Sequence, residues 1–157
     1  MKGQVNGFII NNVKNAISKN DEEKFNKIMK KYNFTLDQLL EEVDLAVIDY
    51  SKSDSNICGY FNERLENNGK KVIFIKCEIF LSIIKSLDMS ALVHEATHYI
   101  QFRRNNKLNN LITVFINKIY FASAKIFGDN LLASIMFLSK YEREAYKNQI
   151  EFLNMEV

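Results

Sequence analysis

Five consecutive residues, His94-Glu-Ala-Thr-His98, constrain this chain more than any other stretch. They hold both of its histidines, with a glutamate directly after the first. In a helix advancing about 100° per residue, His94 and His98 lie about 40° apart in azimuth and one turn apart along the axis. Their imidazoles can therefore meet one metal ion at about 2.0–2.1 Å, the zinc–nitrogen distance. Glu95 is rotated about 100° from His94 and about 60° from His98, so it flanks such an ion and need not bind it. Two ligands and a general base on one helical turn make the His-Glu-x-x-His pattern of zinc-dependent hydrolysis. Chance would produce it in a chain of this size on the order of once in a few hundred. A chain with only two histidines meets it by chance less often still.

A chain of 157 residues reads as a single domain, long enough for a core of its own. Its formal net charge of +2 is close to balance, and no basic cluster is interleaved with aromatics, so nucleic acid is not an expected partner. Cys58 and Cys77 stand far from the histidines and in no metal-ligand spacing; two buried, reduced thiols are the expectation. Met1 to Ile10 carries one lysine and an apolar stretch broken by Asn6 and Gly7, too weak for a signal peptide. The expected location is therefore cytoplasmic, with delivery as an effector left open. Leu111 to Phe137 has about the length of a membrane span, but Lys118, Lys125 and Asp129 interrupt it. Two buried helices meeting near Gly128-Asp129-Asn130 are expected there, without membrane contact.

The expected fold class is α+β, a small and mostly antiparallel sheet packed against the motif helix, with helices at both ends of the chain. Residues 1–43 form the N-terminal helices. Residues 5 to 32 read as helical, with Val5, Phe8, Ile9, Val13, Ala16 and Ile17 on one face. Asn20 with Glu23 restarts the helix through Phe25, Ile28 and Met29. Thr35 with Gln38 makes a capping box for a short helix through Leu36, Leu39 and Leu40. The period then changes, and residues 44–76 read as the sheet. Strands are expected at Asp44 to Tyr50, Ile57 to Asn62 and Lys71 to Lys76, with turns at Ser51 to Asn56 and at Asn67-Asn68-Gly69. Short connections favour antiparallel pairing. A helix from Glu78 to Lys85 follows, and Asp88 or Ser90 caps the motif helix, which runs to about Arg104. Residues 105 to 110 read as a loop, and 110–155 as C-terminal helices.

A catalytic zinc site needs three protein ligands and one open position. Downstream of the motif, the segment Tyr141-Glu-Arg-Glu-Ala-Tyr146 supplies two candidates, Glu142 and Glu144. They are about 200° apart around a helix, so only one can face the ion, and spacing alone does not choose between them. Ala145, three residues after Glu142, would let this helix approach the motif helix closely.

His94-Glu95-x-x-His98 followed by Glu142-x-Glu144-Ala145 resembles the gluzincin branch of the zincin metallopeptidases, in particular the single-domain minigluzincins. The resemblance rests on three residues and covers the chain from the sheet to about Gln149. It implies a zincin-like fold, a zinc cofactor and the ligand set His94, His98 and Glu142. It also implies Glu95 as the general base and a peptide or protein as substrate. Tyr146 stands where many relatives have an aspartate that supports a ligating histidine, so here its hydroxyl or another group must do so. With no third histidine after the motif, the metzincin pattern does not apply.

The expected activity is peptide-bond hydrolysis with Glu95 moving the proton. Tyr99, Tyr141 and Tyr146 are unranked candidates for a donor to the developing oxyanion. The resemblance also implies a strand beside the cleft that aligns an extended substrate by edge pairing, with Lys71 to Lys76 or Ile57 to Asn62 as the candidate. The alternative expectation is a catalytically silent regulatory or partner-binding protein. An effector peptidase acting on one protein would share the chemistry and differ only in substrate.

Overall fold

The N-terminal half builds a platform of two short helices that leads into the sheet. The structure, a computed structural model, describes residues 9–47, 58–80, 83–104 and 140–156. The first helix, α1, spans Lys19–Met29 and buries Phe25, Ile28 and Met29. Its cap is Ser18, whose hydroxyl accepts from the Asp21 amide at 3.1 Å; Asn20 lies inside the helix, against expectation. The extended backbone of Ser18 suits an N-cap. Nor do residues 9 to 17 before it form an α-helix. Ile9 bridges Ala46, and the Ile10 amide donates to Leu45 O at 2.8 Å, which commits this backbone to a sheet edge. Asn12 then adopts a left-handed conformation, and only a 3-10 turn at Val13–Ala16 follows. Residues 5 to 8 of the expected helix lie outside the described residues.

Lys30–Tyr32 form a 3-10 turn, and Asn33 at φ 54° ends it in the left-handed region that asparagine tolerates. The Thr35–Gln38 capping box is present in full: Thr35 Oγ1 accepts from the Gln38 amide, and Gln38 Oε1 accepts from the Thr35 amide. It starts α2, Leu36–Glu42, which buries Leu36 and Leu39.

The main sheet has three strands, β1 (Val43–Val47), β2 (Gly59–Asn67) and β3 (Lys70–Ile75), in the order β1-β3-β2. Asn68 and Gly69, both at positive φ, connect β2 to β3 in the two-residue hairpin turn whose twist matches the strands. That hairpin is antiparallel, but β1 pairs with β3 in parallel, so the sheet is mixed. Short connections predict antiparallel pairing only between consecutive strands, and here β3 separates β1 from β2. Residues 48 to 57, expected to end one strand, turn and begin the next, lie outside the described residues.

As the central strand β3 buries Val72, Ile73, Phe74 and Ile75. Ile73 and Ile75 join the main core, while Val72 and Phe74 pack with Ala46 and Leu65 on the other face. Paired on both sides, β3 cannot accept an added strand, which removes one of the two expected substrate edges.

Residues 77–87 differ from the expected helix. Cys77–Phe80 (β4) and Ile83–Leu87 (β5) pair antiparallel as a separate two-stranded ladder. The run is rich in isoleucine, whose branched Cβ favours strand over helix, and apolar spacing alone does not separate the two in so short a segment. The Asp88 amide extends the ladder by donating to Lys76 O at 3.0 Å. The strand pair thereby delivers the chain directly to the start of the motif helix.

That helix, α3, spans Met89–Arg104, and Asp88 Oδ1 caps it by accepting from the Ala91 amide at 3.0 Å. It buries Met89, Ala91, Leu92, Val93, Ala96, Tyr99 and Ile100, on most of its circumference, as befits a central helix. Helix α4, Lys140–Asn154, packs along it, with Ala145 wholly buried. A side chain larger than alanine there would hold the two helices apart. The core joins Leu92, Val93 and Ala96 to Leu45, Ile73, Phe25 and Met29. The architecture is α+β. The expected loop at 105 to 110 and the apolar helices up to residue 138 lie outside the described residues. Among the described residues no helix is long and apolar enough to cross a membrane.

Candidate metal centre

Successive turns of α3 bring the two imidazoles together, with His94 Nε2 and His98 Nε2 3.2 Å apart. Helix α4 adds Glu142, whose Oε1 lies 3.2 Å from His98 Nε2 and whose Oε2 lies 3.4 Å from His94 Nε2. One donor atom from each of the three residues falls within 4.8 Å of the others. Among the described residues, Glu142 Oε2 is buried and has no hydrogen-bond partner. An ionised oxygen in that position is costly unless a cation meets it. Two imidazole nitrogens and one carboxylate are also the donor set of thermolysin-type zinc sites. The residues present therefore fit a divalent metal ion.

Glu144, the other candidate, takes no part in the cluster. Its Oε1 accepts from the Tyr32 hydroxyl at 2.7 Å and its Oε2 from Gln101 Nε2 at 2.9 Å. The 200° between the two glutamates is resolved by how α4 docks: Ala145 faces α3, with Glu142 on the histidine side and Glu144 toward the N-terminal helices.

Each histidine is held by a glutamine at its other ring nitrogen. His98 Nδ1 lies 3.0 Å from Gln101 Oε1, and His94 Nδ1 lies 3.1 Å from Gln149 Oε1. The support expected from Tyr146 or another group comes to His94 from Gln149, while the Tyr146 ring packs edge-on against His94, centroids 4.7 Å apart. Sequence reasoning missed both glutamines, although spacing offered a signal. Gln101 is one turn beyond His98, and Gln149 is two turns beyond Glu142 on the same face. Tyr32 and Asn148, by contrast, are brought in by packing between distant segments.

Glu95 leaves α3 toward β2, beside the histidine pair, and is only 8 % exposed. Its carboxylate accepts from the Phe61 backbone amide. Gly59 lies so close that a Cβ at that position would come within 2.8 Å of Glu95 Cγ. Gly59, at the start of β2, is thus a site of close approach. Burial pushes the Glu95 carboxyl up, and the two imidazoles only partly offset this. Glu142 behaves oppositely: burial would raise it, but both imidazoles outweigh that and hold it at about 2. Burial likewise disfavours charge on His98, yet Glu142, Glu95 and Gln101 together raise it to about 9.

Of the three tyrosines, Tyr99 points its hydroxyl away from the cluster and donates to Glu42 at 2.7 Å. Its ring packs against Phe34 and Phe61. Among the described residues Cys58 and Cys77 form no disulfide and are half-buried, and burial pushes Cys77 up to about 11, so it stays protonated and a poor ligand. No protein-family profile, curated protein or solved structure matches this chain, so the reading of the site rests on its own residues and their geometry.

Proposed function

We propose that this protein is a zinc-dependent metallopeptidase of the zincin type, with His94, His98 and Glu142 as ligands and Glu95 as general base. The observation that carries the reading is the convergence of Glu142 on the two histidines of the helical turn that also carries Glu95, its Oε2 buried and without a hydrogen bond among the described residues. A zinc ion held there would polarise a carbonyl and lower the pKa of a water molecule to about 7. Glu95 takes a proton from the attacking water and returns it to the leaving amine. Burial raises its carboxyl above the ordinary carboxylate range, the direction that favours a group taking up and returning a proton. A site serving only structure has no use for this carboxylate, which argues against a catalytically silent protein.

The substrate class follows from β2. It is an edge strand among the described residues, packs on α3, and seats Glu95 through Gly59 and Phe61. An extended peptide added along β2 would run past the base, with main-chain hydrogen bonds fixing its register. Tyr146, beside His94 and partly exposed, is the best placed of the tyrosines to meet the oxyanion.

The test is hydrolysis of a generic unfolded polypeptide by the zinc-loaded protein. Turnover that a chelator abolishes and zinc restores is expected. Turnover insensitive to chelation, or none with stoichiometric zinc bound, would contradict the reading.

A further inference from the structure

The N-terminal platform reaches the metal centre through three side chains from three separate elements. Gln101 is buried on α3, and its Nε2 donates to both Glu144 Oε2 at 2.9 Å and Tyr141 O at 3.1 Å. An ionised carboxylate and a backbone carbonyl only accept hydrogen bonds, so together they fix which way round this amide sits. Gln101 Oε1 must then face His98 Nδ1, 3.0 Å away. That places a proton on Nδ1 and directs Nε2 at Glu142 and His94. Glu144 is fixed in turn by Tyr32, from the 3-10 turn after α1, whose hydroxyl donates to Oε1 at 2.7 Å. Tyr32 cannot swing away, because wholly buried Asn148 donates to its oxygen at 2.9 Å and to Thr97 Oγ1 on α3 at 2.9 Å.

The structure assigns Tyr32, Glu144 and Gln101 as a positioning chain that sets the ring orientation and nitrogen assignment of His98. The N-terminal segment is thereby a working part of the metal centre. This rests on the metal-ligand reading of His94, His98 and Glu142. The arrangement around His94 is looser. Gln149 Nε2 reaches Ser90 Oγ at 3.4 Å, and Ser90 donates to Asp88 at 2.8 Å, so that amide is held through a longer contact.

The experiment measures Co²⁺ binding by chelator competition and the visible absorption of the Co²⁺-loaded protein, alongside the melting temperature of the metal-free protein. Wild type is compared with Tyr32→Phe, Glu144→Ala and Glu144→Gln. Tyr32→Phe and Glu144→Ala are expected to weaken Co²⁺ binding about 10- to 100-fold and to shift the absorption bands, the range found when a ligand's supporting hydrogen bond is lost. Glu144→Gln should stay within about threefold of wild type, because its oxygen still accepts from Gln101 and its amide can donate to Tyr32. Affinity and spectrum unchanged in both Tyr32→Phe and Glu144→Ala would overturn the assignment. So would losses of affinity that only track losses of melting temperature across all three variants. A wild-type protein that binds no Co²⁺ would overturn the metal reading itself, an outcome separable from the other two.

Discussion

Helix α3 presents one glutamate to a strand and receives another from a helix, and the two settle in opposite ways. Glu95, under β2, is buried against Gly59 and the Phe61 backbone, and its carboxyl is pushed up, the imidazoles offsetting this only in part. Glu142, from α4, meets two imidazoles, and its carboxyl is held at about 2. Both are removed from water, so burial alone does not separate them. What differs is whether positive charge lies directly against the oxygens. Under the proposed function the same residue type is a proton carrier where α3 meets β2 and an anionic ligand where α3 meets α4.

The largest effect should come from breaking the α4 side. His94→Ala removes one of three ligands and is expected to abolish stoichiometric zinc binding, read by metal analysis after dialysis. Glu142→Ala should weaken zinc more than the roughly 10- to 100-fold expected for supporting residues such as Glu144. A Glu144→Ala variant that lost more zinc than Glu142→Ala would move the ligand to Glu144.

On the β2 side, Glu95→Gln should leave zinc content intact and lower kcat by about 100- to 10,000-fold, the range for losing a general base. Gly59→Ala sharpens the comparison, since its added Cβ would displace Glu95 without touching the ligands. About tenfold lower kcat is expected, within the sensitivity of catalysis to small misplacements, with zinc affinity unchanged.

Protons should distinguish the two sides as well. In the metal-free protein His98 is raised from 6.5 to about 9, so it contributes stability in full below about 6.5 and loses it as pH rises through 9. Glu142 is lowered from 4.5 to about 2, so its contribution is present above 4.5 and lost as pH falls through 2. Near neutral pH, zinc binding must therefore displace the His98 proton. Calorimetry in buffers of different ionisation enthalpy should show about one proton released per ion at pH 7. Affinity should rise about tenfold per pH unit up to 9.

How much could be read in advance follows from how local each feature is. The His94–His98 spacing, the Thr35–Gln38 box and the Asn68-Gly69 turn are fixed by a few neighbouring residues, and each appears where the chain suggested. The strand pair at 77–87 was obscured because a short isoleucine-rich run satisfies either period. The parallel pairing of β1 with β3 depends on strand order, which local pattern does not carry. Glu142 and Glu144 could not be separated by spacing, because the answer lies in which face of α4 meets α3. Tyr32 enters through a contact more than a hundred residues distant in sequence, out of reach of any helical periodicity.

The most direct measurement is X-ray absorption at the zinc edge of the zinc-loaded protein. Two imidazole nitrogens at about 2.0–2.1 Å with oxygen completing a four-coordinate shell are expected, falling to one imidazole in whatever zinc His94→Ala retains. A shell containing sulfur at about 2.3 Å, or one without paired imidazoles, would contradict a centre built from His94, His98 and Glu142.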